Sequence, residues 1–184
     1  QLGRVAVIQN ESRRLNRLIN NVLQFARSGV REKPLQLAAC NLDALVAEVL
    51  ETFRPSLEEL EFELETDLNT AENRMFDRGA VEQILVNLIG NAEKYAVSGR
   101  YLKITTKCIQ ESVVIEILDK GPGVPAKLSK RIFVPFERAS DRLADPAGTG
   151  IGLPISRTLC RKHGGDCKLV SSQVGALFRC TLKA

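Results

Sequence analysis

Between Asp77 and Tyr95 the apolar residues Val81, Ile84, Leu85, Leu88 and Ala92 recur at three- and four-residue intervals, so they share one face of a helix. A stripe this apolar must be buried against another layer, and the next two segments provide one. Tyr101–Ile109 places Leu102, Ile104 and Thr106 at alternate positions, and Ser112–Leu118 is rich in β-branched residues, the pattern of strands. The helix nevertheless carries Asn87 and Asn91, four residues apart on a common face, with Lys94 one turn beyond Asn91. Asparagine is a poor interior helix residue because its amide competes for backbone hydrogen bonds. The two amides are therefore either ordinary helix-surface groups or ligands. An amide oxygen is a hard, neutral ligand suited to Mg²⁺, and Lys94 supplies a point charge for phosphate.

The rest of the chain reads as mixed helix and strand. Leu35–Cys40 is expected as a strand, Asn41 or Asp43 as the cap of a helix reaching about Glu59, and Phe62, Leu64 and Thr66 as a second strand. A further helix starts near Gly150 and stops at Gly164-Gly165; Cys167–Ser171 and Ala176–Leu182 close the chain as a hairpin-like pair. Strands outnumber helices and come in runs, which predicts an α+β fold: a two-layer α/β sandwich with helices on one face of a mixed sheet. Ahead of it, residues 4–27 read as one long helix. Ile8, Leu15 and Val22 recur at sevens, Leu18 and Phe25 widen the stripe, and Arg13, Arg14 and Arg17 lie largely outside it. That period calls for another helix against it, as in a coiled coil or bundle, or for packing on its own domain. Ser28-Gly29 ends the helix, and Arg31-Glu32-Lys33-Pro34 is a short polar linker.

Composition narrows the function classes. With 184 residues, 44% hydrophobic and 26% charged, the chain needs neither metal nor disulfide to hold a core. It has no run of about 18 apolar residues to span a bilayer. A net charge of +4, with two Tyr and no Trp, gives neither the basic excess nor the stacking platforms of a nucleic-acid binder. Five cysteines without a C-x-x-C pair fit reduced thiols in a cytoplasmic protein. Cys160, His163 and Cys167 offer three zinc ligands but no fourth, so they are read as packing at a helix end.

Two more segments are unusually rich in glycine. Asp119-Lys120-Gly121-Pro122-Gly123 follows a buried-looking strand. Its carboxylate can only accept, as from an exocyclic amine, and Gly121 and Gly123 permit close approach of a flat ligand; the same residues also make a plain β-turn. Gly148-Thr149-Gly150-Ile151-Gly152-Leu153 opens a helix, where alternating glycines expose successive N–H groups and the helix N-terminus adds positive charge, a cradle for phosphate. Pro154 fits the first turn, since its missing N–H would have no helical partner. Neither G-x-x-x-x-G-K-[ST] nor the dinucleotide G-x-G-x-x-G is present, which excludes a P-loop enzyme.

In order, the Asn-bearing helix 87–95, Asp119-x-Gly121-x-Gly123, Phe133-Val134-Pro135-Phe136 and Gly148-Thr149-Gly150-Ile151-Gly152-Leu153 closely resemble the N, G1, F and G2 boxes of sensor histidine kinases. Residues 4–27 are similar to the second helix of that family's dimerisation and histidine-phosphotransfer hairpin, through Arg14-Leu15, Leu18-Ile19 and Phe25-Ala26-Arg27. The resemblance implies part of that hairpin over residues 1–30 and a Bergerat-type ATP-binding catalytic domain over residues 31–184, with ATP and Mg²⁺ as ligands. It implies that Asn91 holds Mg²⁺, Asn87 lines the phosphate site, Lys94 contacts phosphate, and Tyr95 packs near ribose and base. Asp119 would accept from the adenine amino group, with Gly121 and Gly123 making room for the ring. A lid from about Glu137 to Ala147, hinged by the glycines from 148 to 152, would bring Arg138 and Arg142 to the β- or γ-phosphates, and Gly148, Thr149, Gly150, Ile151, Gly152 and Leu153 would bind the nucleotide. Phe133 and Phe136 are expected to pack in the core. The partners implied are a response-regulator receiver domain and the phosphotransfer hairpin of the same or a second protomer in a homodimer. The implied location is cytoplasmic, with any sensor or membrane anchor outside this chain.

Two departures from the family's pattern matter. Relatives that hydrolyse ATP, such as type II topoisomerases, usually carry Glu where this chain has Asn87; an amide is no base, which favours transfer to a protein acceptor over hydrolysis. The family's acceptor histidine lies on the first hairpin helix, whereas the one histidine here, His163, stands at the end of a domain helix and is expected to be structural. The chain is accordingly expected to be an excerpt that binds ATP without phosphorylating itself. A docking module without turnover and a water-hydrolysing ATPase are the alternatives.

Overall fold

The computed structural model describes residues 34–70, 72–137, 149–170 and 174–183. The expected helix 4–27, the lid residues Arg138 and Arg142, Gly148 and the strand end Ser171 lie outside the described residues. The chain divides into two units, Gln1–Pro34 and Leu35–Ala184, and the second is described below.

In chain order its elements are β1 (Ala38–Cys40), α1 (Leu42–Glu59), β2 (Glu63–Asn69), β3 (Arg74–Phe76), α2 (Arg78–Tyr95), β4 (Tyr101–Ile109), β5 (Ser112–Asp119), α3 (Gly152–Lys162), β6 (Asp166–Val170) and β7 (Leu177–Lys183). Five strands form one sheet in the order β2-β4-β5-β7-β6, while β1 and β3 pair separately. β2 and β4 run parallel and the other neighbours antiparallel, so the sheet is mixed, as expected. The parallel pair requires a crossover, and α2 lies within that connection.

Register explains which face is buried. Ile104, Ile117 and Phe178 share one row across β4, β5 and β7, and Thr106, Ile115 and Cys180 the next. All but Thr106, whose hydroxyl donates to Asp43 Oδ1 at 2.6 Å, join one core with Leu45, Val49 and Phe53 of α1 and with Val81, Ile84, Leu85, Leu88 and Ala92 of α2, the stripe read from the sequence. Both helices start where a polar side chain caps them. Asn41 Oδ1 accepts from the Ala44 N–H at 2.9 Å and Asp77 Oδ1 from the Ala80 N–H at 3.0 Å, each cap worth about 1 kcal/mol. The edge strand β2 exposes Glu63, Glu65 and Asp67.

Two expectations are corrected. The strand drawn from Leu35 shrinks to Ala38–Cys40, because its partner β3 has only three residues and the Gln36 N–H goes to Asp77 Oδ2 at 2.9 Å. β3 itself was not foreseen. The helix expected from Gly150 begins at Gly152, since Gly150 holds a left-handed φ of 66° that a helix cannot use. His163 is buried with both ring nitrogens engaged: Nδ1 bonds the Leu159 carbonyl at 2.9 Å and Nε2 accepts from the Asp77 N–H at 3.2 Å. The ring thus ties the end of α3 to the start of α2.

Candidate functional site

Asp119 ends β5 on the helix-facing side of the sheet, opposite Leu102, and is only 9% exposed. Its Oδ1 accepts from the Gly121 N–H at 2.8 Å and the Ala176 N–H at 3.2 Å, while its own N–H donates to the Ala176 carbonyl at 3.0 Å. Neither bond uses Oδ2, and no other described residue donates to it. Burial pushes this carboxyl above the usual carboxylate range, with the Gly121 and Ala176 N–H groups opposing the rise. A half-satisfied buried carboxylate of this kind has one use for a ligand: it accepts a hydrogen bond from a donor brought to Oδ2.

The loop after Asp119 is gripped by backbone. A Cβ on Gly121 would sit 2.8 Å from Ala96 Cα, and one on Gly123 2.7 Å from the Gly175 carbonyl oxygen. Neighbouring backbone therefore fills the space that a side chain at either glycine would need. Gly175, with φ of 80°, lies so close under Asp119 that a Cβ would stand 1.7 Å from its carbonyl oxygen. Gly175 escaped the sequence reading, and Ala176 was read only as the start of a strand, because a glycine ahead of a strand looks like any turn. On the far side, the Lys120 ammonium lies 3.5 Å over the Tyr101 ring.

The α2 amides differ sharply. Asn87 is 9% exposed; its Nδ2 donates to the Gly152 carbonyl at 3.1 Å and to Ser156 Oγ at 3.2 Å, and its Oδ1 accepts from Gln83 Nε2 at 3.1 Å. A carbonyl can only accept, so the nitrogen must be the atom facing Gly152. Asn91, one turn on, is half-buried, and no hydrogen bond joins its amide to another described residue. Lys94 Nζ lies 4.8 Å from the centre of the Tyr95 ring, which is exposed. Among the described residues no three His, Cys, Asp or Glu side chains gather as a metal cage. A divalent ion beside Asn91 would thus draw on phosphate and water for its remaining ligands, as Mg²⁺ usually does.

α3 begins at Gly152 with no side-chain cap: the preceding Ile151 is buried and apolar, and Pro154 has no N–H. The N–H groups of Gly152 and Leu153 therefore open the helix without side-chain acceptors. Thr149 and Gly150 lead into this turn, and the Gly150 carbonyl accepts from the Phe136 N–H at 3.1 Å, so the segments at 133–136 and 149–153 meet. Phe133 packs on the core beneath the Arg157 guanidinium, 4.9 Å from its ring. Phe136 does not pack as expected: it is 62% exposed at a φ of 66°, turned outward where the chain doubles back and the Glu137 N–H bonds the Val134 carbonyl at 3.2 Å.

α2 connects the two halves of the site. Near its middle Asn87 holds Gly152, and just past its end Ala96 abuts Gly121. Nine residues separate these points, about 13 Å at 1.5 Å per residue. A buried acceptor at one end and uncapped N–H groups at the other suit a ligand with two chemically different ends.

The profile of the histidine kinase-, DNA gyrase B- and HSP90-like ATPases matches residues 76–184. The alginate biosynthesis sensor protein KinB of Pseudomonas aeruginosa is 30% identical over 93% of this chain, which spans 28% of that protein; the chain is thus less than a third of the curated relatives it matches. Full-length ShkA in complex with AMPPNP superposes with a TM-score of 0.83 at 29% identity, covering 100% of this chain and 38% of ShkA. The catalytic domain of histidine kinase ThkA gives 0.72 at 26%, covering 81% of this chain and 96% of that domain. ThkA in complex with the response regulator TrrA shares the fold, with a TM-score of 0.76 at 24% identity, covering 94% of this chain and 49% of that one.

Proposed function

Since the chain belongs to the histidine kinase-, DNA gyrase B- and HSP90-like ATPases and carries the ATP-binding catalytic domain of a sensor histidine kinase, we propose that this site positions Mg-ATP for phosphoryl transfer to a histidine on the phosphotransfer hairpin. The observation that carries the reading is the half-satisfied Asp119 carboxylate at one end of α2 and the uncapped α3 N-terminus beside Asn87. Asp119 Oδ2 accepts the adenine amino hydrogen, and the α3 turn with Lys94 receives the phosphates. Asn91, whose amide bonds no other described residue, would hold Mg²⁺, which supplies charge neutralisation when bound. Arg138 and Arg142 reach the terminal phosphates, and Tyr95 lies near the ribose.

His163 is not the acceptor, because its ring is buried and bonded at both nitrogens. The phosphoryl group is passed on to a response-regulator receiver domain, and the parent protein works as a homodimer on the cytoplasmic side of a membrane. No helix among the described residues is long and apolar enough to cross one. Titration with AMPPNP and Mg²⁺ tests the reading. The wild-type chain should bind, and Asp119→Ala should lose roughly 1–3 kcal/mol by leaving the adenine amine unpaired. Equal affinity in that variant would remove Asp119 from the adenine site, and no binding by the wild type would remove the nucleotide.

A further inference from the structure

The Ser156 hydroxyl is fully buried and bonds inward at both valences. It donates to the Gly152 carbonyl at 3.0 Å, one turn back on α3, and accepts from Asn87 Nδ2 at 3.2 Å, across to α2. The same Asn87 nitrogen donates to that carbonyl at 3.1 Å. Three polar atoms thus close a small triangle at the point where the first turn of α3 meets α2. The two helices are in van der Waals reach there, since a Cβ on Gly152 would stand 3.4 Å from Asn87 Cγ.

We propose that Ser156 is a positioning residue for the phosphate end of the nucleotide: with Asn87 it fixes the register of the α3 N-terminus on α2, and so the direction in which the Gly152 and Leu153 N–H groups point. This rests on the nucleotide reading above. Asn87 Nδ2 is thus engaged by both the Gly152 carbonyl and the Ser156 hydroxyl, which together hold the amide against α3. Removing the hydroxyl takes away one of the two acceptors that hold the amide, and so loosens its grip on the first turn of α3. Asp119 is held by Gly121 and Ala176 and shares no bond with this triangle, so the adenine end is untouched.

The test compares two probes, AMPPNP with Mg²⁺ and adenosine, on the full chain by calorimetry, with thermal unfolding followed in parallel. Ser156→Ala should weaken AMPPNP about three- to tenfold and leave adenosine unchanged. Ser156→Cys, of similar volume and with a weak donor, should fall between wild type and alanine. If both variants bind AMPPNP like wild type, or lose AMPPNP and adenosine by the same factor, the proposal is overturned, whatever the change in melting temperature. Absence of AMPPNP binding by the wild-type chain would instead strike the nucleotide reading itself.

Discussion

The two ends of the site are built by different means. Around Asp119 the chain is fixed by backbone: N–H groups of Gly121 and Ala176 hold the carboxylate, and Gly99, Gly121, Gly123 and Gly175 let three loops pass closer than any side chain would allow. Around Gly152 the fastening is done by side chains, the Asn87 amide and the Ser156 hydroxyl. Backbone fastening tolerates almost no substitution but leaves Oδ2 of Asp119 available to a ligand. Side-chain fastening consumes polar groups, which is why Asn87 is committed while Asn91, one turn away, bonds no other described residue.

The harshest way to break this contrast is Gly175→Ala. It puts a Cβ 1.7 Å from the Asp119 carbonyl oxygen at a φ of 80°, and we expect a loss of at least about 4 kcal/mol by urea unfolding. A variant within about 1 kcal/mol of wild type would show that this end is not closed by backbone contact. Next in size, Asn87→Ala removes three hydrogen bonds, to Gly152, Ser156 and Gln83, and should cost about 1–3 kcal/mol of stability. Asn91→Ala should leave stability within about 0.5 kcal/mol while abolishing the extra nucleotide affinity that Mg²⁺ confers, read by titration with and without the ion. The contrast would fail if the two alanines destabilised equally.

Asp119→Asn sharpens the comparison further. The amide oxygen still serves Gly121 and Ala176, but the buried charge is gone. Burial raises the folded-state pKa of Asp119, so ionising it costs stability as pH rises through the carboxylate range. The asparagine variant should therefore melt a few degrees above wild type near neutral pH, with the gap closing in acid, while binding nucleotide more weakly. A gap that widened on acidification would contradict the sign. The smallest effect belongs to a surface pair outside both ends: Arg54→Ala loses an exposed contact with Glu51 and should leave the melting temperature unchanged.

What was legible in the sequence was local. Asp77 and the apolar stripe marked the start and inner face of α2, and alternation marked β4 and β5, because caps and periodicity are short-range signals. β3 was not legible, since three residues carry no period and its pairing with β1 is decided by the fold around it. In the site, Asn87, Asn91, Asp119 and the 148–153 glycines stood out as polar or flexible residues against an apolar pattern. Ser156 did not, because its partner Asn87 is 69 residues away and nothing near it hints at burial. Gly175 was hidden for the same reason. Phe136 misled in the other direction: an aromatic residue is expected inside, yet the reversal after Pro135 turns it to solvent.

Among the described residues the sheet stops at β2, whose outer backbone groups have no neighbouring strand and whose exposed residues include Glu63, Glu65 and Asp67 beside Thr66 and Asn69. An open strand margin of this sort invites a second copy to continue the ladder. Carboxylates facing carboxylates make that continuation repulsive, so crowded molecules of this protein should remain separate rather than grow into fibres from this side.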